Sequence, residues 1–427
     1  MRILVATHQL SWIGGADTYT VTVSEHLQRL GHEVTVFAAE VGEMTEVARA
    51  SGVFVTADER ALPEPDVVYA QDAYVALLLA DRFPSTPQAM AIHADEYDLW
   101  LPPQLPGVTA AVVALHERVA KRARAAAVVP EVVRLTQPVD TERFSPRGPL
   151  HDPPRRALLL GNYLAGDQLE VVARACEEAG IEWEQVGYRS GGPTREPERL
   201  MGDADIVIGK ARVIVEAMAS GRAAYVYDHN GGDGWVTPER YALLEADNFG
   251  GQAEPVAADL ARLRSDLKQY RPDMGAANRQ LAVANHSANK HAQDLALLFQ
   301  RLNPRAHPVD GPLRELARLV RVQTDIDRRA YALSVEARQA REREHGVRLE
   351  LVAAQARLAE LEPRASAQVE RIGRLEAEVK ALEARLSELD AAAQAALERE
   401  RSLLSQRRVR LGLALARPLD RARRLFG

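Results

Sequence analysis

Twice along this chain, short apolar runs alternate with amphipathic stretches at the spacing of βαβ units, a pattern that few folds other than tandem parallel sheets can satisfy. In the first third the strand candidates are 2–6, 33–38, 67–70, 88–93 and 111–115. A helix over 18–30 joins the first two and stops at Gly31, a residue suited to the left-handed helix-ending position. Around 145–154 prolines and a glycine break the periodicity, so a domain boundary is placed there. A second series follows: strand 156–160, helix 169–179, strands 182–186 and 205–208, helix 212–219 and strand 223–228. Two similar α/β halves in tandem leave a cleft between them.

After about Pro304 glycine and aromatic residues become rare, and Ala, Leu, Glu and Arg dominate. From Val347 and Leu351 through Leu375, Val379, Leu382, Leu386 and Leu389 to Ala396, apolar positions keep an unbroken 4-3 spacing. That is a heptad seam, which predicts an α-helical coiled coil over 304–406, with Gln368 on the seam and Pro363 interrupting the helix. Because a lone helix cannot bury such a stripe, a homo-oligomer is expected, in the form of a parallel dimer. Over 407–427 arginines flank a short apolar stretch; it reads either as an amphipathic segment lying on a membrane surface or as a solvated cap of the coiled coil. The expected divisions are therefore 1–148, 149–303, 304–406 and 407–427.

At 427 residues the chain exceeds one ordinary core. A single cysteine, Cys176, excludes an internal disulfide and a cysteine-based zinc cluster and suits a reducing compartment, so a cytoplasmic location is expected. The first residues enter a strand without a longer apolar run, so no secretory leader is expected. No run of about 18 apolar residues is free of charge, which limits any membrane contact to the periphery, at the inner face of the cell membrane. A net charge of -6 argues against nucleic acid as a partner. His8, Cys176, His286 and His291 show no metal-ligand spacing, so neither a metal nor a resident cofactor is expected.

Gly14 and Gly15 follow the first strand and open a helix. A glycine turn at a helix start lets backbone amides approach an anion, although a turn that needs glycine only for its backbone angles reads the same way. The stretch 204–222 is a buried strand, a turn with Gly209, Lys210 and Arg212 at a helix start, and Glu216 one turn further on. Amides and two cations at one helix end suit a pyrophosphate, with Glu216 placed for ribose hydroxyls. Residues 228–239 offer Gly231, Gly232 and Asp233 in a loop, with His229 and Trp235 beside them; the competing reading is a surface turn with a buried tryptophan. His93 ends the fourth strand, and His116 follows the fifth with packing as its default role.

Here the motifs carry a family resemblance. Glu216-Ala217-Met218-Ala219-Ser220-Gly221-Arg222 resembles the donor-nucleotide motif of retaining GT-B glycosyltransferases, especially the glycosyltransferase family 4-like group. Gly14-Gly15 with Gly31-His32-Glu33-Val34, then 138–146, then 158–161, resemble further segments of that family in the same order. The resemblance covers roughly residues 1–300. It implies two Rossmann-like domains facing a cleft and transfer of a sugar from a nucleotide diphosphate-sugar to a glycan or lipid-linked acceptor, with retention and without a metal. It further implies that Lys210, Arg212 and Gly209 neutralise the departing diphosphate, that His93 faces the reacting sugar, and that Gly14, Gly15, Gly231, Gly232 and Asp233 contact the donor. The family's first glutamate, eight positions before Glu216, is replaced here by Ile208, which leaves open a second class of function: a non-catalytic scaffold recruiting partners through its coiled coil. A nucleotide-sugar epimerase fits the body less well.

Overall fold

A computed structural model of the chain describes residues 1–94, 98–126, 131–162, 164–187, 190, 192–228, 231–254, 259–360 and 366–423. The chain divides into two compact units, Met1–Val320 and Arg321–Gly427.

The first unit begins with β1 (Arg2–Leu10), α1 (Gly15–Arg29), β2 (Glu33–Val41), α2 (Glu43–Ala50), β3 (Phe54–Thr56), β4 (Val67–Ala70), α3 (Ala73–Arg82), β5 (Gln88–Ile92), β6 (Ala111–Ala114), α4 (Glu117–Ala125) and β7 (Val132–Arg134). Its seven strands form one parallel sheet in the order β3-β2-β1-β4-β5-β6-β7. The apolar run of β1 is buried along almost its whole length, as a parallel strand covered on both faces requires. Gly31, at φ 86°, takes the left-handed conformation that ends α1.

A second sheet follows, built from β8 (Arg156–Leu160), α5 (Asp167–Glu178), β9 (Glu182–Val186), α6 (Pro197–Gly202), β10 (Ile206–Gly209), α7 (Arg212–Ala219), β11 (Ala223–Asp228) and β12 (Gly231–Trp235). Its order is β12-β11-β10-β8-β9, parallel except for the antiparallel β11–β12 pair. In each sheet the chain lays strands outward on one side and then crosses back, between β1 and β4 in the first and between β8 and β10 in the second. Such reversals leave a crevice at the carboxyl ends of the strands.

The chain then forms α8 (Tyr241–Ala246), α9 (Leu260–Leu267), α10 (Asp273–Asn285) and α11 (Ala288–Arg301), followed by α12 (Leu313–Glu360) and α13 (Ser366–Arg423). Here the chain returns to the first sheet. Ala292, Leu295 and Phe299 of α11 are buried in the same core as Val5, Tyr19 and Leu27, while Leu313 and Ala317 enter the opposite core beside Val75 and Leu79. Outward and return crossings are hydrogen-bonded to each other: the Val139 amide donates to the His286 carbonyl at 2.7 Å, and the Ala288 amide donates to the Val139 carbonyl at 2.9 Å. The helix expected to start a coiled coil at 304 thus begins at Leu313, and its first turns belong to the body.

In the second unit α12 and α13 run antiparallel within one chain. Arg341 pairs with Asp390 and Arg348 with Glu383, so later positions on one helix meet earlier positions on the other. The heptad seam is the half-buried side of α13: Leu375, Val379, Leu382, Leu386, Leu389, Ala393 and Ala396 are each partly covered. The apolar stripe thus has an intrachain partner, which the 4-3 spacing alone does not reveal. Pro363 lies outside the described residues, as do the side chains from 403 onward; the backbone of 407–423 is helical. Among the described residues, no helix is long and apolar enough to cross a membrane.

Candidate functional site

The two crevices face each other. Gly14, Gly15 and Thr18 from the start of α1, with Met44 and Val47 of α2, line one wall of an open cleft of about 830 Å³. Across it stand Leu160, Gly161 and Asn162 at the end of β8, Val186 and Gly187 at the end of β9, and Arg212, Val213 and Glu216 of α7; Arg143, Phe144, Pro193, Thr194, Arg195 and Pro197 complete the lining.

Two helices point their amino ends into this space. The N-cap of α1 is Gly14 and that of α7 is Ala211, and neither helix has a side-chain cap. The positive ends of their dipoles therefore face the cleft and favour an anion there, although the Val213 and Ile214 amides of α7 already donate to the Lys210 and Ala211 carbonyls, at 3.2 and 3.0 Å. Ala211 takes this position at φ 51°, a conformation that favours glycine and costs a residue with a Cβ on the order of 1–3 kcal/mol. Its amide is held by the Phe249 carbonyl at 2.9 Å.

Of the residues the sequence singles out, Gly14, Gly15, Arg212 and Glu216 share the cleft, but the last two face each other. Arg212 Nε donates to Glu216 Oε1 at 2.7 Å, Nη1 to the Pro138 carbonyl at 3.2 Å and Nη2 to Thr22 Oγ1 of α1 at 3.1 Å. The buried guanidinium thus ties the second sheet to the first and to the linker between them. Burial pushes the Glu216 carboxyl up, and Arg212 pulls it back down. Ribose hydroxyls would have to share Glu216 with that arginine.

The remaining candidates are not among the described residues lining the cleft. Lys210 Nζ lies 2.8 Å from Asp228 Oδ2, joining the ends of β10 and β11. Gly209 is the last residue of β10, where a Cβ would stand 2.7 Å from the Leu160 carbonyl oxygen, so close strand packing requires its glycine. The expected ligand loop at 231–235 is instead the edge strand β12. A Cβ on Gly232 would lie 2.1 Å from the Val226 carbonyl oxygen, and the Asp233 carboxylate accepts from the Glu254 amide at 2.9 Å and the Ala253 amide at 3.3 Å. Trp235 is buried edge-on to Tyr225, its indole donating to the Asp266 carbonyl. His229 lies outside the described residues.

His93 Nε2 meets Gln71 Oε1 at 3.0 Å, and its ring stands edge-on to Tyr19 at 5.0 Å. Burial lowers its pKa to about 4, which keeps the imidazole neutral at physiological pH. His116 is buried at the N-cap of α4.

Sequence reasoning misses Arg143, Asn162, Thr194 and Arg195. They come from the linker, the end of β8 and the loop before α6, and no local pattern links them; only the fold brings them to one cleft. Three arginines (143, 195 and 212) line it, each paired with an acid, Glu198, Glu43 and Glu216 respectively, so an anionic occupant would compete with those carboxylates for the cations. A carboxyl the sequence did not mark stands close by: Asp17, in the first turn of α1, is buried, and burial raises its pKa to about 7.

Comparison with known proteins agrees on architecture. The Anabaena protein HepE, in its complex with UDP-glucose, matches at a TM-score of 0.52 and 12% identity, covering 70% of this chain and 100% of that one. In its complex with UDP it matches at 0.50 and 12%, covering 71% and 100%. No protein-family model and no curated protein matches the sequence. At this level of identity the likeness identifies the fold, and the fold is that of two Rossmann-like domains facing a cleft, the GT-B architecture.

Proposed function

We propose that this chain is a nucleotide-sugar-dependent glycosyltransferase whose donor lies in the cleft between the two sheets. One observation carries the reading. Two helix amino ends without side-chain caps, one from each sheet, converge on a cleft lined by three arginines. That is the environment a diphosphate needs, both when bound and when it leaves with added charge. HepE, which shares the fold, has been crystallised with UDP and with UDP-glucose, which supports a donor of that class.

In this proposal the amino ends of α1 and α7 and a cleft arginine hold the diphosphate, the wall from α1 and α2 takes a glycan or lipid-linked acceptor, and transfer proceeds with retention and without a metal. Its location is the cytoplasm, with peripheral membrane contact through 407–427 and a homo-oligomer formed when the helical hairpin of one chain packs against that of another. Thermal-shift screening against UDP-, GDP- and dTDP-sugars tests the donor. Ligand at about 100 times its dissociation constant adds roughly 2.7 kcal/mol of stability. One nucleotide class should raise the melting temperature, and the anomeric coupling of the transferred sugar, read by NMR, should match the donor's. Absence of a shift with every donor at millimolar concentration would remove the proposal.

A further inference from the structure

The cleft arginines are not equivalent, and the difference bears on which of them meets the ligand. Arg212 is about one-tenth exposed and spends its donors on Glu216, Pro138 and Thr22. Turning it toward a ligand would strand the buried Glu216 carboxylate, which is the costly way to break an ion pair. Arg195 is 57% exposed and meets Glu43, itself 36% exposed, through one contact of 3.2 Å from Nε to Oε1. A single-contact exposed pair is weak and yields to a stronger anion.

The setting of Arg195 is built. Its loop carries Pro193 and Pro197 on the cleft wall, and Thr194 Oγ1 accepts the Glu196 amide at 3.1 Å. Arg143, from the segment between the sheets, donates through Nη2 to the Arg195 carbonyl at 2.9 Å and through Nε to Glu198 at 3.0 Å, which braces the loop from beneath. Glu43 belongs to the other side: it opens α2, whose Met44 and Val47 line the opposite wall. The Arg195–Glu43 pair therefore spans the cleft.

From this placement we propose that Arg195 is the cleft's anion-binding side chain, that it grips a phosphate or carboxylate carried by the ligand, and that Glu43 holds its place in the empty protein. This rests on the nucleotide-sugar reading above and deepens it. Arg143 is a positioning residue, acting through the loop. The sign of the Glu43 effect separates a competitor from a structural partner. As a competitor, its removal frees Arg195 for the ligand.

The test is calorimetric titration of the full chain and of Arg195→Gln and Glu43→Gln with UDP and with UDP-glucuronate, with thermal melts to show that all three proteins fold alike. Arg195→Gln should bind about tenfold more weakly or worse, the scale of a lost hydrogen bond to a charged group. Glu43→Gln should bind about two- to fivefold more tightly, the scale of an exposed ion pair released. Weakening with both compounds places the anion on the diphosphate, and weakening confined to UDP-glucuronate places it on the sugar. Binding that ignores both substitutions overturns this inference alone, whereas an unmodified chain that binds neither compound overturns the functional reading as well.

Discussion

At the scale of single residues, the cleft concentrates groups that stability alone would not keep. Asp17 is the clearest. Its carboxyl is buried in the first turn of α1, and burial raises its pKa from 3.8 to about 7. The folded protein therefore holds this proton more tightly than the unfolded chain does. The resulting penalty is absent below about pH 4, grows as pH rises toward 7, and is complete above it, where it reaches on the order of 4 kcal/mol. Asp17→Asn, which removes the charge and keeps the shape, should raise the melting temperature at pH 8 and leave it nearly unchanged at pH 4. An equal shift at both pH values would contradict this account. Nothing in the sequence marks Asp17, because an acid in the first turn of a helix is ordinary. The Arg212–Glu216 pair was legible, since opposite charges four apart on a helix meet on one face. Reading each as a separate ligand contact overlooked that they are each other's nearest partner.

At the scale of elements, β8, β9, α7 and β11 stand where the sequence places them; for β8 and β11 the reason is that apolar runs of five or six residues bounded by breakers have few alternatives. The Gly231–Trp235 segment went the other way: glycine and aspartate disfavour strands, so local propensity argued for a loop. The sheet overrides that preference. At Gly232 the backbone of β11 approaches too closely for any side chain, so glycine is what allows β12 to pair there. Gly232→Ala should accordingly destabilise the protein by about 3 kcal/mol or more, the upper range for forced overpacking. Urea denaturation measures this. A variant of unchanged stability but weakened nucleotide binding would restore the ligand-loop reading.

At the scale of the whole molecule, the sequence shows two α/β halves and a helical tail, but not that the chain recrosses to finish what it began. Arg305 donates to the carbonyls of Phe83 and Val108 at 3.2 and 3.1 Å, and Leu313 and Ala317 close the core behind α3. A chain ending at Val320 keeps all of these contacts. One ending at Asn303, the boundary that composition suggests, should lose at least about 3 kcal/mol, from one buried leucine and the arginine's hydrogen bonds. Identical melts for the two truncations would show that this return segment contributes nothing. The recrossing also sets an order of events during synthesis. A nascent chain that has just released β7 from the ribosome has all seven strands of its first sheet, yet lacks Ala292, Leu295 and Phe299 to cover it. That apolar face must wait for some 150 more residues, at ordinary synthesis rates on the order of ten seconds, during which it is open to chaperones and to other nascent chains.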